Sequence, residues 1–215
     1  MDYVLLAEQL FNGFQLGIIL FLMAAGLTLV FGIMDLINLA HGTFYMFGGF
    51  FAATLALWTD SFVLGMVLAV PTMMLAGVAL EFTVLKTLYV RDHLDQVLVT
   101  FGLILFFNEL FVIVFGPAGV AFPLPEYLSG FSNFPGGITV PDYRLVIIAV
   151  GMLVAVGLYL LVTKTRIGML IRAGASNREM VGALGINISM LFTLVFGLGA
   201  VLAGLAGMIV TPITQ

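Results

Sequence analysis

Six apolar runs, each close to the length of a bilayer crossing, constrain this chain more than any other feature: residues 10–34, 39–58, 62–85, 97–115, 145–162 and 190–210. A hydrocarbon layer of about 30 Å asks for about 20 apolar residues in a helix. Backbone groups in lipid must be satisfied within the segment, which favours helices. A membrane β-barrel would show short alternating runs, whereas these are apolar on every face. The expected fold is therefore all-α and polytopic, with about six transmembrane helices. Composition agrees: 62% of the residues are hydrophobic and only 8% charged, against about a quarter charged in soluble domains. Little is left for a water-soluble unit, so residues 1–215 read as one membrane domain. The opening Met1-Asp2-Tyr3 has no basic n-region, so the first run is expected to stay as a span.

The same inventory excludes whole classes of function. With a net charge of -4 and seven basic residues in all, nucleic acid is not an expected partner. Without cysteine there is no disulfide, thiol catalysis or thiolate metal site. His41 and His93 are too far apart for metal-ligand spacing, so no metal is expected. Lys86 and Lys164 follow Leu85 and Thr163, so there is no phosphate-binding P-loop. No Ser, His and Asp trio is recognisable, and neither an enzyme nor a cofactor is expected.

Charge sets the orientation. Lys86, Arg91, Lys164, Arg166, Arg172 and Arg178 fall in two connections that six crossings place on one side, and basic loops mark the cytoplasm. Asp2, Glu8, Asp60, Glu126 and Asp142 fall opposite with Arg144 alone, which puts the N-terminus outside. The external segment 116–142 holds five of the seven prolines, and an irregular cap is expected there. Its Phe122, Tyr127, Phe131 and Phe134 read either as interfacial aromatics or as a docking surface.

Three polar constellations interrupt the apolar sequence. Asp35, Asn38 and His41, bounded by Gly32 and Gly42, lie within a 120° sector if helical and would line one seam of a path. The competing reading is an interfacial turn in which Asp35 and Asn38 cap the helix that begins near Leu39. In the fourth run, Asn108 and Glu109 are costly at membrane depth, and Thr100 lies about 80° from Asn108 on the helical wheel and can extend that face. Glu81 is expected to pair with Lys86 or another nearby base. On the cytoplasmic side, Ser176 with Glu179 three places on forms a capping box, and Gly185 is a natural C-terminal glycine. A short helix over 177–184 follows, through Asn177, Arg178, Val181, Gly182 and Leu184. Small residues at helix-packing spacing, Gly13 with Gly17 and Gly199, Ala203 and Gly207 beside Ala200 and Gly204, are expected to bring helices close.

The run from Gly26 to Met46, GLTLVFGIMDLINLAHGTFYM, closely resembles the first signature of permease subunits of branched-chain amino-acid ABC transporters. The likeness continues through Thr100-Phe101-Gly102-Leu103, Phe115-Gly116-Pro117, Thr165-Arg166-Ile167-Gly168, Arg172-Ala173 and Leu184-Gly185-Ile186-Asn187. The resemblance implies a permease of the bacterial inner membrane working by alternating access, with ATP hydrolysed on a separate subunit. It implies that 177–185 presses into a cytoplasmic ATPase. A second permease subunit, an external solute-binding protein and membrane lipid are its other implied partners. It makes segment 35–42 the border of the path. Urea and short amides are carried by permeases with similar signatures; an ion-coupled carrier using Asp35, His41 or Glu109, or a membrane scaffold, are the remaining readings. Family permeases usually continue with further spans, so the resemblance also implies that C-terminal helices of the family domain lie beyond these residues.

Overall fold

The computed structural model describes residues 3–134 and 137–214. Its helices are α1 (Tyr3–Met34), α2 (Thr43–Thr59), α3 (Phe62–Thr83), α4 (His93–Phe115), α5 (Asp142–Lys164), α6 (Arg166–Ser176), α7 (Arg178–Ala183) and α8 (Ile188–Val210). Five of them, α1, α3, α4, α5 and α8, are long and apolar enough to cross a membrane. The sixth expected span is α2, which has only 17 residues, or about 26 Å. The first four residues of that expected run, Leu39–Gly42, form a 3-10 turn instead, and residues 35–38 before them are a break. A helix enclosed by protein has less need to match the hydrocarbon thickness.

The centre of the bundle is α8, which packs on α1, α2 and α3, while α2 also packs on α3. Apolar side chains gain little by leaving lipid for protein, so close backbone approach supplies the contact. A Cβ at Gly48 would stand 2.0 Å from the Gly204 carbonyl oxygen. Of the two glycine groups expected to pack, the one in α8 does so. A Cβ at Gly13 or Gly17 would meet no other side chain or helix within 4 Å among the described residues; the two border an apolar groove between α1 and α5.

The remaining long helices attach more lightly. α5 lies along α1. α4 touches α2 through phenylalanines, with Phe47 stacked on Phe111 at 4.8 Å and Phe50 on Phe115 at 4.7 Å; such pairs contribute about 0.5–1.5 kcal/mol each beyond their burial.

Part of segment 116–142 is more regular than its prolines led us to expect. β1 (Phe131–Phe134) and β2 (Ile138–Pro141) form an antiparallel hairpin, with Phe131 opposite Pro141 and Phe134 opposite Ile138. Asp142 anchors it, because its N–H donates to Gly130 O at 3.0 Å and its carboxylate accepts from Ser132 Oγ at 2.6 Å. Phe122 is no interfacial aromatic: it is buried and stacks on Phe62 at 4.8 Å. Tyr127 and Phe131 are exposed. Asp2, Pro135 and Gly136 lie outside the described residues.

Contacts between connections sort the loops into two ends. Gln96 bonds both the break at 35–38 and the turn at 84–92, and the break shares a groove with residues 174–179; this end, with Lys164, carries six of the seven bases. Arg144 sits at the other end with the hairpin, donating to Asn12 Oδ1.

Candidate functional site

The polar run after α1 is a break rather than a helical seam. α1 stops where Asp35 takes a left-handed backbone, φ 52°, a conformation that asparagine and aspartate tolerate better than most residues. Its side chain is exposed, whereas Asn38 and His41 are buried, so the three share no face. Asn38 occupies the N-cap position of the 3-10 turn, but neither it nor Asp35 supplies the side-chain cap expected of them.

α4 satisfies the freed backbone instead. Ile37 N–H donates to Gln96 Oε1 at 3.0 Å, and Leu39 N–H donates to Thr100 Oγ1 at 3.2 Å. Gln96 Nε2 donates back to the Leu88 and Arg91 carbonyls, each at 3.2 Å. Thr100 was legible as a polar position; Gln96, which does more, was missed. The signal was there, since residues four apart share a helix face.

The Asn38 amide atoms and both His41 ring nitrogens are buried without a hydrogen-bond partner among the described residues. His41 lies where α1 crosses α8: a Cβ on Gly26 would stand 3.0 Å from Nε2 and 2.7 Å from Gly199 O. The Met23 backbone acts on the ring without meeting hydrogen-bonding geometry. Buried polar atoms without partners cost about 1–3 kcal/mol each. A site that keeps them holds donors and acceptors ready for water or a solute. Asn38 also borders an apolar cavity of about 340 Å³ with Leu27, Thr28, Phe31 and Leu39.

The other polar residues of α4 stand apart. Only a narrow stripe of the helix is buried, at Gln96, Thr100 and Phe111. Glu109, nine residues after Thr100, lies on the opposite face, and Asn108 lies outside the stripe; both are exposed. Asp35, His41 and Glu109 are thus not gathered into one coupling site. Gly42 is exposed as well, at the junction of the 3-10 turn and α2.

Glu81 does not pair with Lys86, which sits over the Phe82 ring at 5.2 Å. It is fully buried, accepting from Tyr89 through Oε1 and meeting Thr193 Oγ1 through Oε2 at 2.8 Å. A lysine in water keeps its solvation, while two hydroxyls can be buried with the carboxylate at lower cost. Burial pushes the Tyr89 phenol above its usual range, and the Glu81 hydrogen bond and charge push it further, so Tyr89 stays protonated and donates.

At the same end, the short helix begins one residue later than the capping box implied. Ser176 closes α6, and Asn177 is the cap, its side chain accepting from Met180 N–H at 2.9 Å. Gly185, at φ 85°, closes α7 as expected, with Gly185 N–H on Gly182 O at 3.0 Å and Ile186 N–H on Val181 O at 3.4 Å. Val181 alone is buried and pins α7 down; Arg178, Glu179, Met180, Gly182 and Leu184 are exposed. A groove of about 460 Å³ separates this turn from the end of α1, bordered by Ile33, Asp35, Ser176, Asn177, Arg178 and Glu179 among others. At the opposite end a cavity of about 740 Å³ opens between α2, the 118–121 loop and the end of α8, lined in part by Tyr45, Phe50, Thr211 and Thr214.

Residues 9–215 match the family described as branched-chain amino acid transport system / permease component. Among curated proteins, the chain is 31% identical over 214 residues to the high-affinity branched-chain amino acid transport system permease protein BraD of Pseudomonas aeruginosa, covering 94% of this chain and 69% of that one. It is 29% identical over 221 residues to the corresponding permease protein LivH of Escherichia coli, covering 97% of this chain and 71% of that one. No solved structure matches the chain.

Proposed function

The chain belongs to the family of branched-chain amino acid transport permease components, and from that premise we propose that it forms the membrane path of an ATP-driven importer of leucine, isoleucine or valine. A permease component moves solute and is not an enzyme, which sets aside a catalytic role. Membership also favours transport over a purely structural membrane scaffold.

The observation that carries the reading is the pairing of an exposed, capped helix with a broken, polar segment at one end of the bundle. α7 offers Met180 and Leu184, 59% and 73% exposed, beside Arg178 and Glu179, a mixed surface suited to a groove on a cytoplasmic ATPase. Ser176, Asn177, Gly182 and Gly185 shape that helix and its ends, and Val181 seats it. The path then runs along α2, from the cavity beside Tyr45 and Thr211 to Asn38, His41 and Gly42. Thr100 supports its inner end. Asn108 and Glu109 belong on this reading to a surface that meets a second permease subunit, since an intramembrane carboxylate is costly in lipid. On this reading the basic loops and the α7 end face the cytoplasm, as the positive-inside tendency favours, and the N-terminus lies outside the bacterial inner membrane, where an external solute-binding protein would meet the hairpin end.

The test is reconstitution with candidate ATPase and permease partners and a binding protein in proteoliposomes. Leucine uptake that requires ATP and survives collapse of the proton gradient is expected. Uptake that ignores ATP, or none with all partners present, would overturn the reading.

A further inference from the structure

We propose that the turn over residues 85–91 is a hydrogen-bonded crossbar that carries the stroke of α7 from α8 to the broken segment, with Glu81, Tyr89 and Gln96 as its positioning residues. The proposal rests on the transport reading above and adds the route by which a push at α7 reaches the path.

The links are continuous and cross five elements. Thr193 lies in the second turn of α8, which follows α7 directly, and its hydroxyl meets Glu81 Oε2 of α3 at 2.8 Å. Tyr89, in the turn, donates to the other oxygen of the same carboxylate. The neighbouring Leu88 carbonyl, and that of Arg91, accept from Gln96 Nε2 of α4, each at 3.2 Å. Gln96 Oε1 accepts from Ile37 N–H in the break at 3.0 Å. Both oxygens of Glu81 and both ends of the Gln96 amide are thus engaged by different elements, the arrangement a strut requires.

Packing makes the turn stiff enough for the task. Leu85 and Leu88 are buried, and the Tyr89 ring meets Phe192 of α8 edge-on at 5.4 Å. An exposed connection would absorb a displacement; one seated in the core moves with its neighbours. The route through the α6–α7 turn is interrupted. α6 does rest on α1, where a Cβ at Gly174 would stand 3.0 Å from Ile33 Cδ1, but the α6–α7 turn is separated from Asp35 by the open groove. Empty space transmits no push.

Leucine transported per ATP hydrolysed, in the complete reconstituted complex, tests the crossbar. Tyr89→Phe and Gln96→Met each remove one link while keeping the bulk of the side chain. A drop of about fivefold or more in that ratio is expected, the lower end of ordinary coupling between sites, with basal ATPase activity retained. The double variant should be no worse than the poorer single one, because links in series fail together. Glu81→Gln, which still accepts from Tyr89 and can donate to Thr193, should stay near the wild-type ratio. Wild-type ratios in both single variants, losses that multiply in the double, or a Tyr89→Phe complex that fails to assemble would each overturn the crossbar. A wild-type complex without ATP-dependent uptake would strike the underlying transport reading instead.

Discussion

A residue that costs stability where it stands points to function more directly than one that adds to it. Asn38 and His41 keep their polar atoms buried and unpaired. Replacing Asn38 with leucine should therefore raise stability toward unfolding by about 1 kcal/mol while lowering leucine uptake at least tenfold; a variant both less stable and fully active would show the amide to be a structural member. Tyr89 makes the opposite contribution. Its raised phenol stabilises the fold at pH values below the ordinary tyrosine value of about 10, and that contribution is lost as pH rises through the higher folded value. Denaturation of the solubilised protein followed from pH 9 to 11 should show a shallower loss in Tyr89→Phe than in the wild type. Neither residue's environment was legible beforehand, because burial of a polar group depends on partners far along the chain: Gln96 is 59 positions from Ile37, and Thr193 is 112 from Glu81.

Helix ends were read better than helix faces. Gly185 announced the end of α7 through the left-handed backbone that closes it, and the start was misread by one position because Asn177 and Ser176 are both good caps. The register matters for mutagenesis. With Asn177 as cap, Glu179 lies in the first turn, where a backbone N–H has no intrahelical partner, so Glu179→Pro should leave α7 folded and lower coupling only partly, through the lost surface charge. Val181→Pro removes the N–H that bonds Asn177 O at 3.2 Å and disturbs the one buried anchor of α7, and should abolish ATP-coupled uptake without preventing membrane insertion. Protease protection and uptake measured on both variants would check the pair. The break after α1 was visible in the sequence as polar residues flanked by glycine. Its tethering by α4 was not, since hydropathy gives the length of a span and nothing about what it touches. The same blindness put Asn108 and Thr100 on one working face, although 80° on a helix that buries so narrow a stripe separates inside from outside.

For the molecule as a whole, six apolar runs and the placement of seven bases were enough to anticipate an all-α bundle with two chemically distinct ends. The order of packing around α8 was not, because small residues occur throughout, and only some glycines, such as Gly48 and Gly204, meet another helix. Sidedness can be checked by cysteine labelling, since residues 1–215 contain no cysteine. A cysteine introduced at Tyr127 should react with an impermeant thiol reagent in whole cells, and one at Lys86 only after the membrane is opened. The reverse pattern would invert the orientation proposed here.

The dependence of α2 on α8 bears on biosynthesis. α2 joins α3 through a turn of two residues, Asp60 and Ser61, so the two must leave the translocon as a hairpin. Yet the glycine face of α2 is completed only by Gly204 and Gly207, the latter so placed that a Cβ would stand 1.8 Å from Tyr45 O. Until the ribosome has made those residues, α2 has no finished seat. Its notch must wait, open to lipid or to an insertase, while three further long helices are synthesised.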